Sequence, residues 1–470
     1  MPKNIFIALV ISLSTLALLG CSTASDMLSQ HSAHPTPQVM PPPSGDDQLS
    51  DNRLWQGSPK VVLDNVSHIP LRKLEAASGS LDPTMNGWIK LVIISKRYST
   101  NSQKLAQQLI AWRNEFATHP ANTLLPGDTT LSALMNNAEL PQRIALLLPL
   151  QGSLGQSGQA VRDGFLSAYY DSFAKTHIEQ TISFYDTSQK NIATVYQQAV
   201  AEGANVIIGP LMKDNVQTLT RSGRLTIPTL ALNYTDVSFG SLPANLYQFG
   251  LSPLDEAQQI ADKAASATHS RAIIIAPQND WGHRSVKTLV ARWQLLGKTV
   301  VDTYYFTPQA NLNMDIAKLL RVNTKEDRNK MKEDNNKNAL QQQRRQDFDV
   351  IFLLAQPQSA REIVPLLKFY YADNIPVYAT SSIYAGAPNP TKDQDLRGVI
   401  YCDIPWVVHK NHSDRLFAVG HDAYLLSGQL QRLTQLSNFP IYAQTGALTM
   451  TASQQIYRRL PWTTIHANKP

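Results

Sequence analysis

Cysteine is almost missing from this chain: of 470 residues only Cys21 and Cys402 carry a thiol. Two such residues, one of them at the extreme start, cannot build a disulfide framework. The eleven histidines contain no His-Glu-x-x-His pair and no close Cys/His set, so metal ligation has no sequence signature. Charge is sparse as well, at 17% of residues, and the lysines and arginines are dispersed rather than clustered among aromatics. That dispersal speaks against a nucleic-acid partner. A long apolar run is lacking too, since the stretch from Ile5 to Leu19 is too short to span a bilayer as a stable helix.

What stands at the start is Lys3, that apolar stretch, and then Leu18-Leu19-Gly20-Cys21. A basic first turn, a short apolar segment and small residues before a cut describe an export signal over residues 1–20. The cysteine after the cut resembles a bacterial lipobox. The resemblance implies that Cys21 becomes the mature N-terminus, acylated on sulfur and amine, and that Ser22, not being Asp, directs the protein to the outer membrane of a Gram-negative envelope. More than one acyl chain anchors stably, each buried methylene contributing about 0.8 kcal/mol. Loss of Lys3 with the leader lowers the formal charge from +6 to +5. Cys402, left without a partner in an oxidising compartment, sits in Val399-Ile400-Tyr401-Cys402 and reads as a small buried hydrophobe.

Residues 21–50 are rich in Ser, Thr, Gln and Pro, with Pro41-Pro42-Pro43 among them, and read as an extended tether. Over 51–140 the period becomes helical. Leu105, Leu109, Trp112 and Phe116 line one helix and Trp88, Leu91, Val92 and Tyr98 another, a hairpin with an aromatic seam that must pack on something else, either as a cap or as the remnant of a helical repeat. From 141 to 470 strands alternate with amphipathic helices. Ile144–Leu148, Val206–Ile208, Ile273–Ile275 and Val350–Leu354 are continuous apolar runs, as expected of parallel strands buried on both faces. The fold class is α/β, a two-lobed body with doubly wound parallel sheets behind a short helical hairpin region. Lobe 1 is expected to hold 141–250 and, by return of the chain, 373–470; lobe 2 is expected to hold 251–372. The polar, mixed-charge run 325–346 reads as a solvated helix or insertion.

Catalytic patterns are missing. The loop Gly152-Ser153-Leu154-Gly155-Gln156-Ser157-Gly158 lies between a strand and a helix, where backbone N–H groups favour an anion, yet its spacing fits neither the dinucleotide fingerprint nor a P-loop. Its glycines read better as a tight turn with close packing. No G-x-S-x-G elbow occurs, and Ser172-Phe173-Ala174-Lys175 lacks the motifs that accompany a catalytic Ser-x-x-Lys. The expectation is a protein with no enzymatic activity and no cofactor.

Ile144 to Gly152 with the helix Gly158 to Phe165 resembles the opening of a type I periplasmic-binding-protein domain, in particular that of the LpoA family of penicillin-binding-protein activators. Tyr185-Asp186-Thr187, Val206 to Leu211, Arg344 to Phe352, Thr445 to Leu448 and Arg458 to Trp462 resemble that family in order and spacing. So does the helical stretch from Lys96 to Ala121. The resemblance spans about residues 84 to 466, but members of the family usually carry a longer N-terminal array of helical repeats. It implies an outer-membrane lipoprotein that faces the periplasm and activates a bifunctional class A penicillin-binding protein, a peptidoglycan synthase, by direct binding. The alternative is a lipid-anchored receptor for an amino-acid-like molecule held between the lobes, with Ser153, Gln156, Ser157 and Tyr234 as contacts.

Overall fold

The computed structural model describes residues 49–79, 82–136, 140–223, 225–235, 242–322 and 344–466. The leader, Cys21, nearly all of the proline-rich tether and most of the run 325–346 lie outside the described residues. Among the described residues no helix is long and apolar enough to cross a membrane.

The helical region holds α1 (Pro59–Ser67), α2 (Leu71–Ala77), α3 (Pro83–Arg97), α4 (Ser102–Glu115) and α5 (Asp128–Asn136). Asp82 caps α3 by accepting from the Thr84 and Met85 amides, with Pro83 in the first turn, and Asn101 caps α4 through the Lys104 amide. The aromatic seam forms through six of the eight expected residues: Trp88, Leu91 and Val92 of α3 are buried, as are Leu105, Leu109 and Trp112 of α4, while Tyr98 and Phe116, at the ends of the two helices, are half-buried. The Trp112 indole donates to the Gly87 carbonyl at 2.9 Å. His119 closes the seam edge-on to Trp88 and Trp112, with ring centroids 4.9 and 5.2 Å away, and its burial lowers its pKa. The hairpin is not alone, however, because α1, α2 and α5 pack around it. This group is fastened to the α/β body by polar contacts. The Arg459 guanidinium donates to Ser67 Oγ at 3.1 Å, the Asn438 side-chain amide to the Leu124 carbonyl at 3.0 Å and the Ser102 hydroxyl to Gln429 at 2.6 Å.

The body is doubly wound α/β, as the strand-helix alternation indicates. Its first sheet has the order β2-β1-β3-β4-β5, all parallel: β1 (Arg143–Leu148), β2 (Thr181–Asp186), β3 (Val206–Ile208), β4 (Thr229–Ala231) and β5 (Leu246–Gln248). Helices α6 (Gly155–Thr176), α7 (Ile192–Ala201) and α8 (Lys213–Arg221) connect the first four strands. After α9 (Pro253–Ser266) a second sheet is built from β6 (Arg271–Pro277), α10 (Asp280–Leu295), β7 (Thr299–Phe306), α11 (Leu312–Leu319), β8 (Val350–Leu353), α12 (Pro357–Phe369), β9 (Val377–Ala379) and β10 (Ile400–Cys402). Cys402 on β10 is fully buried, and that burial pushes its thiol pKa well up.

Here the expected lobe boundary fails. β9 and β10 do not return to the first sheet. β9 continues the second one beside β8, with Ile351 opposite Val377, and β10 pairs with β9. The physical reason is local: a strand buried on both faces pairs most readily with the free edge left by the strand before it, one crossover helix away. The chain returns only with α13 (Arg415–Ser427), the helix Leu430–Gln435 and a small antiparallel sheet of β11 (Ile441–Ala443), β12 (Gly446–Met450) and β13 (Ile456–Arg459). These share a core with β1 and α6 through Val419, Ala423, Leu433, Leu448 and Ile456. Finally β14 (Trp462–Thr464) crosses back and pairs antiparallel with β10.

The end of the mixed-charge run also departs from its solvated reading. Arg344 and Arg345 are only 4% and 7% exposed. Arg344 donates to the Tyr371 carbonyl at 2.8 Å and to Asn374 at 2.9 Å, while Arg345 grips both carboxylate oxygens of Asp347 at 2.7 and 2.8 Å and reaches Asp302 at 2.7 Å. The Arg345 bonds hold the Asp347 carboxyl below its ordinary range, at about 2. Because this folded value lies below the unfolded one near 3.9, the pair's contribution is complete above about pH 4 and is lost as pH falls toward 2. In acid denaturation Asp347→Asn should therefore show a shallower loss between those limits than the parent. Partial exposure of the carboxylate keeps the difference to about 1 kcal/mol or less; equal acid limbs would show that the pair contributes nothing.

Candidate functional site

In the first sheet the order of strand addition reverses between β1 and β3. Loops leaving the carboxyl ends of these strands go to opposite faces, and a crevice opens between them. The sequence shapes one wall with glycine. A Cβ on Gly158 would lie 1.8 Å from the Pro149 carbonyl oxygen, so α6 can sit on the end of β1 only without one, and Gly152 takes the turn at φ +70°. The G-x-x-G-x-x-G loop is thus a packing device.

The crevice has a volume of about 380 Å³ and is lined by Leu154, Ser157, Met212, Lys213, Asn233 and Leu416 among others. Of the four residues expected to meet a ligand, only Ser157 lies in this lining. Ser153, on the turn, and Gln156, at the start of α6, are exposed outside it. Tyr234 points elsewhere: its hydroxyl donates to the Ile456 carbonyl at 2.9 Å, with the Gly250 carbonyl at 3.3 Å, and burial raises its pKa. It braces the exit of β5 against β13. The correction follows from how closely the end of β4 approaches Gly250, where an added Cβ would meet the tyrosine ring at 3.5 Å. Asn233 is engaged as well, donating to the Leu211 carbonyl at 3.0 Å.

Several buried charges of the body gather where the chain passes between the sheets, at 249–252, 403–414 and 460–461. Glu256, one turn into α9, accepts from the Ser381 amide at 3.0 Å and hydroxyl at 2.8 Å. Burial raises its pKa against the pull of Arg458, whose guanidinium lies 3.9 Å away. Gln259 clamps the third passage, donating to the Arg458 carbonyl and accepting from the Leu460 amide, both at 2.9 Å. In the second passage fully buried Asp403 accepts from the Ile404 amide at 2.8 Å and takes both the Nε and an Nη of Arg415, which in turn donates to the Tyr384 carbonyl at 3.2 Å. Asp422 on α13, also fully buried, accepts from the Gln444 and Thr445 amides at 3.0 and 2.7 Å.

None of these residues stands out in the sequence. The available signal is a charge beside an apolar run, as in Ile400-Tyr401-Cys402-Asp403-Ile404, a place where an acid needs a buried partner. Chemically the arrangement holds geometry: each carboxylate is bonded to a guanidinium, a hydroxyl or backbone amides, which suits a scaffold of fixed shape.

The family described as LppC putative lipoprotein matches residues 47–467. Penicillin-binding protein activator LpoA of Photobacterium profundum is 28% identical over 443 residues, which cover 89% of this chain and 70% of that protein. LpoA of Haemophilus influenzae in a monoclinic crystal form superposes with a TM-score of 0.58 at 25% identity, covering 89% of this chain and 74% of that one. The C-domain of that protein, described as a regulator of PBP1A, gives a TM-score of 0.56 at 25% identity over 69% of this chain and 97% of its own. A match that runs through both the helical region and the α/β body places this chain in the LppC putative lipoprotein family, whose relatives here are penicillin-binding protein activators.

Proposed function

We propose that the protein is a non-catalytic activator of a bifunctional penicillin-binding protein, anchored through acylated Cys21 to the periplasmic face of the outer membrane. The observation that carries this reading is the continuous likeness to activators over 89% of the chain, helical region included. Two features support it. The buried carboxylates between the sheets are committed to structural partners, and the crevice holds one of the four residues that the receptor alternative requires. The sequence of residues 21–50, rich in proline, is that of a tether, and a segment of that length extended at roughly 3 Å per residue would span several tens of Å. A synthase rooted in the opposite membrane would need that reach.

The test separates anchor from activity. Cys21→Ser is expected to lose palmitate labelling and to fail to complement in cells, because the tether then has no fixed end. The same purified variant should still raise the rate of peptidoglycan polymerisation by the synthase in detergent solution, where no distance has to be spanned. Label retained on the variant would locate the anchor elsewhere, and unchanged synthase rates would sink the activator reading.

A further inference from the structure

Lobe 2 carries a groove on its outer face between α9 and α10, with a volume of about 540 Å³. Helix α10 turns Val286, Leu289 and Trp293 into the core, and the opposite face presents Arg284, Lys287, Thr288, Ala291 and Leu295 at positions i, i+3, i+4, i+7 and i+11. Leu254 and Gln258 of α9 form the facing wall. Leu295 is 76% exposed, the most of any large apolar side chain among the described residues. A single exposed leucine needs no explanation. One that ends a mostly apolar groove between two helices has the shape of a receiving site for a partner's side chain.

The charges on the rim define the occupant. Arg292 is neutralised by Asp262 at 2.6 Å, whereas Arg284 and Lys287 hold no ion pair among the described residues. The groove therefore offers an apolar floor under two free cations. A complementary segment presents acidic residues to that rim and one large apolar side chain to the floor.

We propose that the groove between α9 and α10 docks an acidic segment of the synthase bearing one large apolar side chain. This rests on the activator reading above. Cationic rims act over a Debye length, which shrinks from about 10 Å at 0.1 M salt to about 3 Å at 1 M, so association should weaken as salt rises. The apolar floor acts at contact and is insensitive to that change.

Binding of the full-length protein, in detergent, to the purified synthase tests this with three variants: Leu295→Asp, the double Arg284→Glu, Lys287→Glu, and Phe173→Asp on α6 as a control on the other sheet. All substituted side chains are exposed, and circular dichroism checks that each variant is folded. Leu295→Asp should weaken binding at least tenfold at every salt concentration. The double variant should weaken it at least tenfold at low salt and lose the salt dependence of the parent, while Phe173→Asp binds as the parent does. Binding within twofold of the parent by both groove variants overturns the assignment, as does a loss confined to Phe173→Asp. A parent that does not bind the synthase at all defeats the activator reading itself, a result distinct from either.

Discussion

Alanine at Gly164 or Gly420 is expected to destabilise lobe 1 by about 3 kcal/mol, although alanine favours an exposed helix over glycine by about 1 kcal/mol. The opposite sign comes from how α6 and α13 meet. A Cβ on Gly164 would stand 1.9 Å from the Phe417 carbonyl oxygen, and one on Gly420 would stand 1.9 Å from the Val161 carbonyl oxygen. Both obstacles are backbone, so no rotamer relieves them, and the helices would have to part. Parting them opens the core around Phe165, Val419 and Ala423, which are buried between α6, α13 and β1. Because one displacement accommodates both methyl groups, the double variant should lose less than the sum of the singles. Urea midpoints of the three variants measure this. A single variant as stable as the parent would mean that the helices separate at no cost.

The same contact explains what is legible in the sequence and what is not. β1, β3, β6 and β8 are readable because strands covered on both faces have no polar alternation to confuse them; Ile144 to Leu148 are all at most 1% exposed. β9 and β10 are readable as strands but not as members of a sheet. Three residues such as Val377-Tyr378-Ala379 carry no information on which neighbour they pair with; that depends on β8 having a free edge when they arrive. The return of the chain to lobe 1 is encoded instead by Gly164 and Gly420, two residues 256 apart whose fit appears only once both helices exist.

The candidate site follows a similar division. The crevice is legible from its loop, since a glycine-rich turn between a strand and a helix is a local signal, but spacing alone does not orient Ser153 and Gln156. Tyr234 is misread as a ligand contact because its partners, the carbonyls of Gly250 and Ile456, are brought together by tertiary structure. Assigning charged residues to the surface by default misses Asp403, Asp422, Glu256 and Arg458 and misreads Arg344 and Arg345. In each case the charge is buried against at least one partner brought from elsewhere in the fold, which no single stretch of sequence contains.

Asp403→Ala should therefore be costly, at about 3 kcal/mol. Removal of the carboxylate leaves the Ile404 amide without its acceptor and strips Arg415 of its counter-ion in a site where the guanidinium side chain is 22% exposed. That residual exposure, together with the Tyr384 carbonyl that Arg415 keeps at 3.2 Å, holds the cost to the lower end of the range for broken buried pairs. Asp403→Asn should cost less, since the amide oxygen still accepts from Arg415. Asp414→Ala provides the scale: Asp414 caps α13 by accepting from the Phe417 amide at 2.9 Å, is exposed, and its loss is worth about 1 kcal/mol. The ordering Asp403→Ala, then Asp403→Asn, then Asp414→Ala, read from urea midpoints, is the expected result. An Asp403→Ala protein no less stable than Asp414→Ala would show that the passage between the sheets is held by its backbone and apolar contacts, with the Asp403–Arg415 pair contributing nothing to its rigidity.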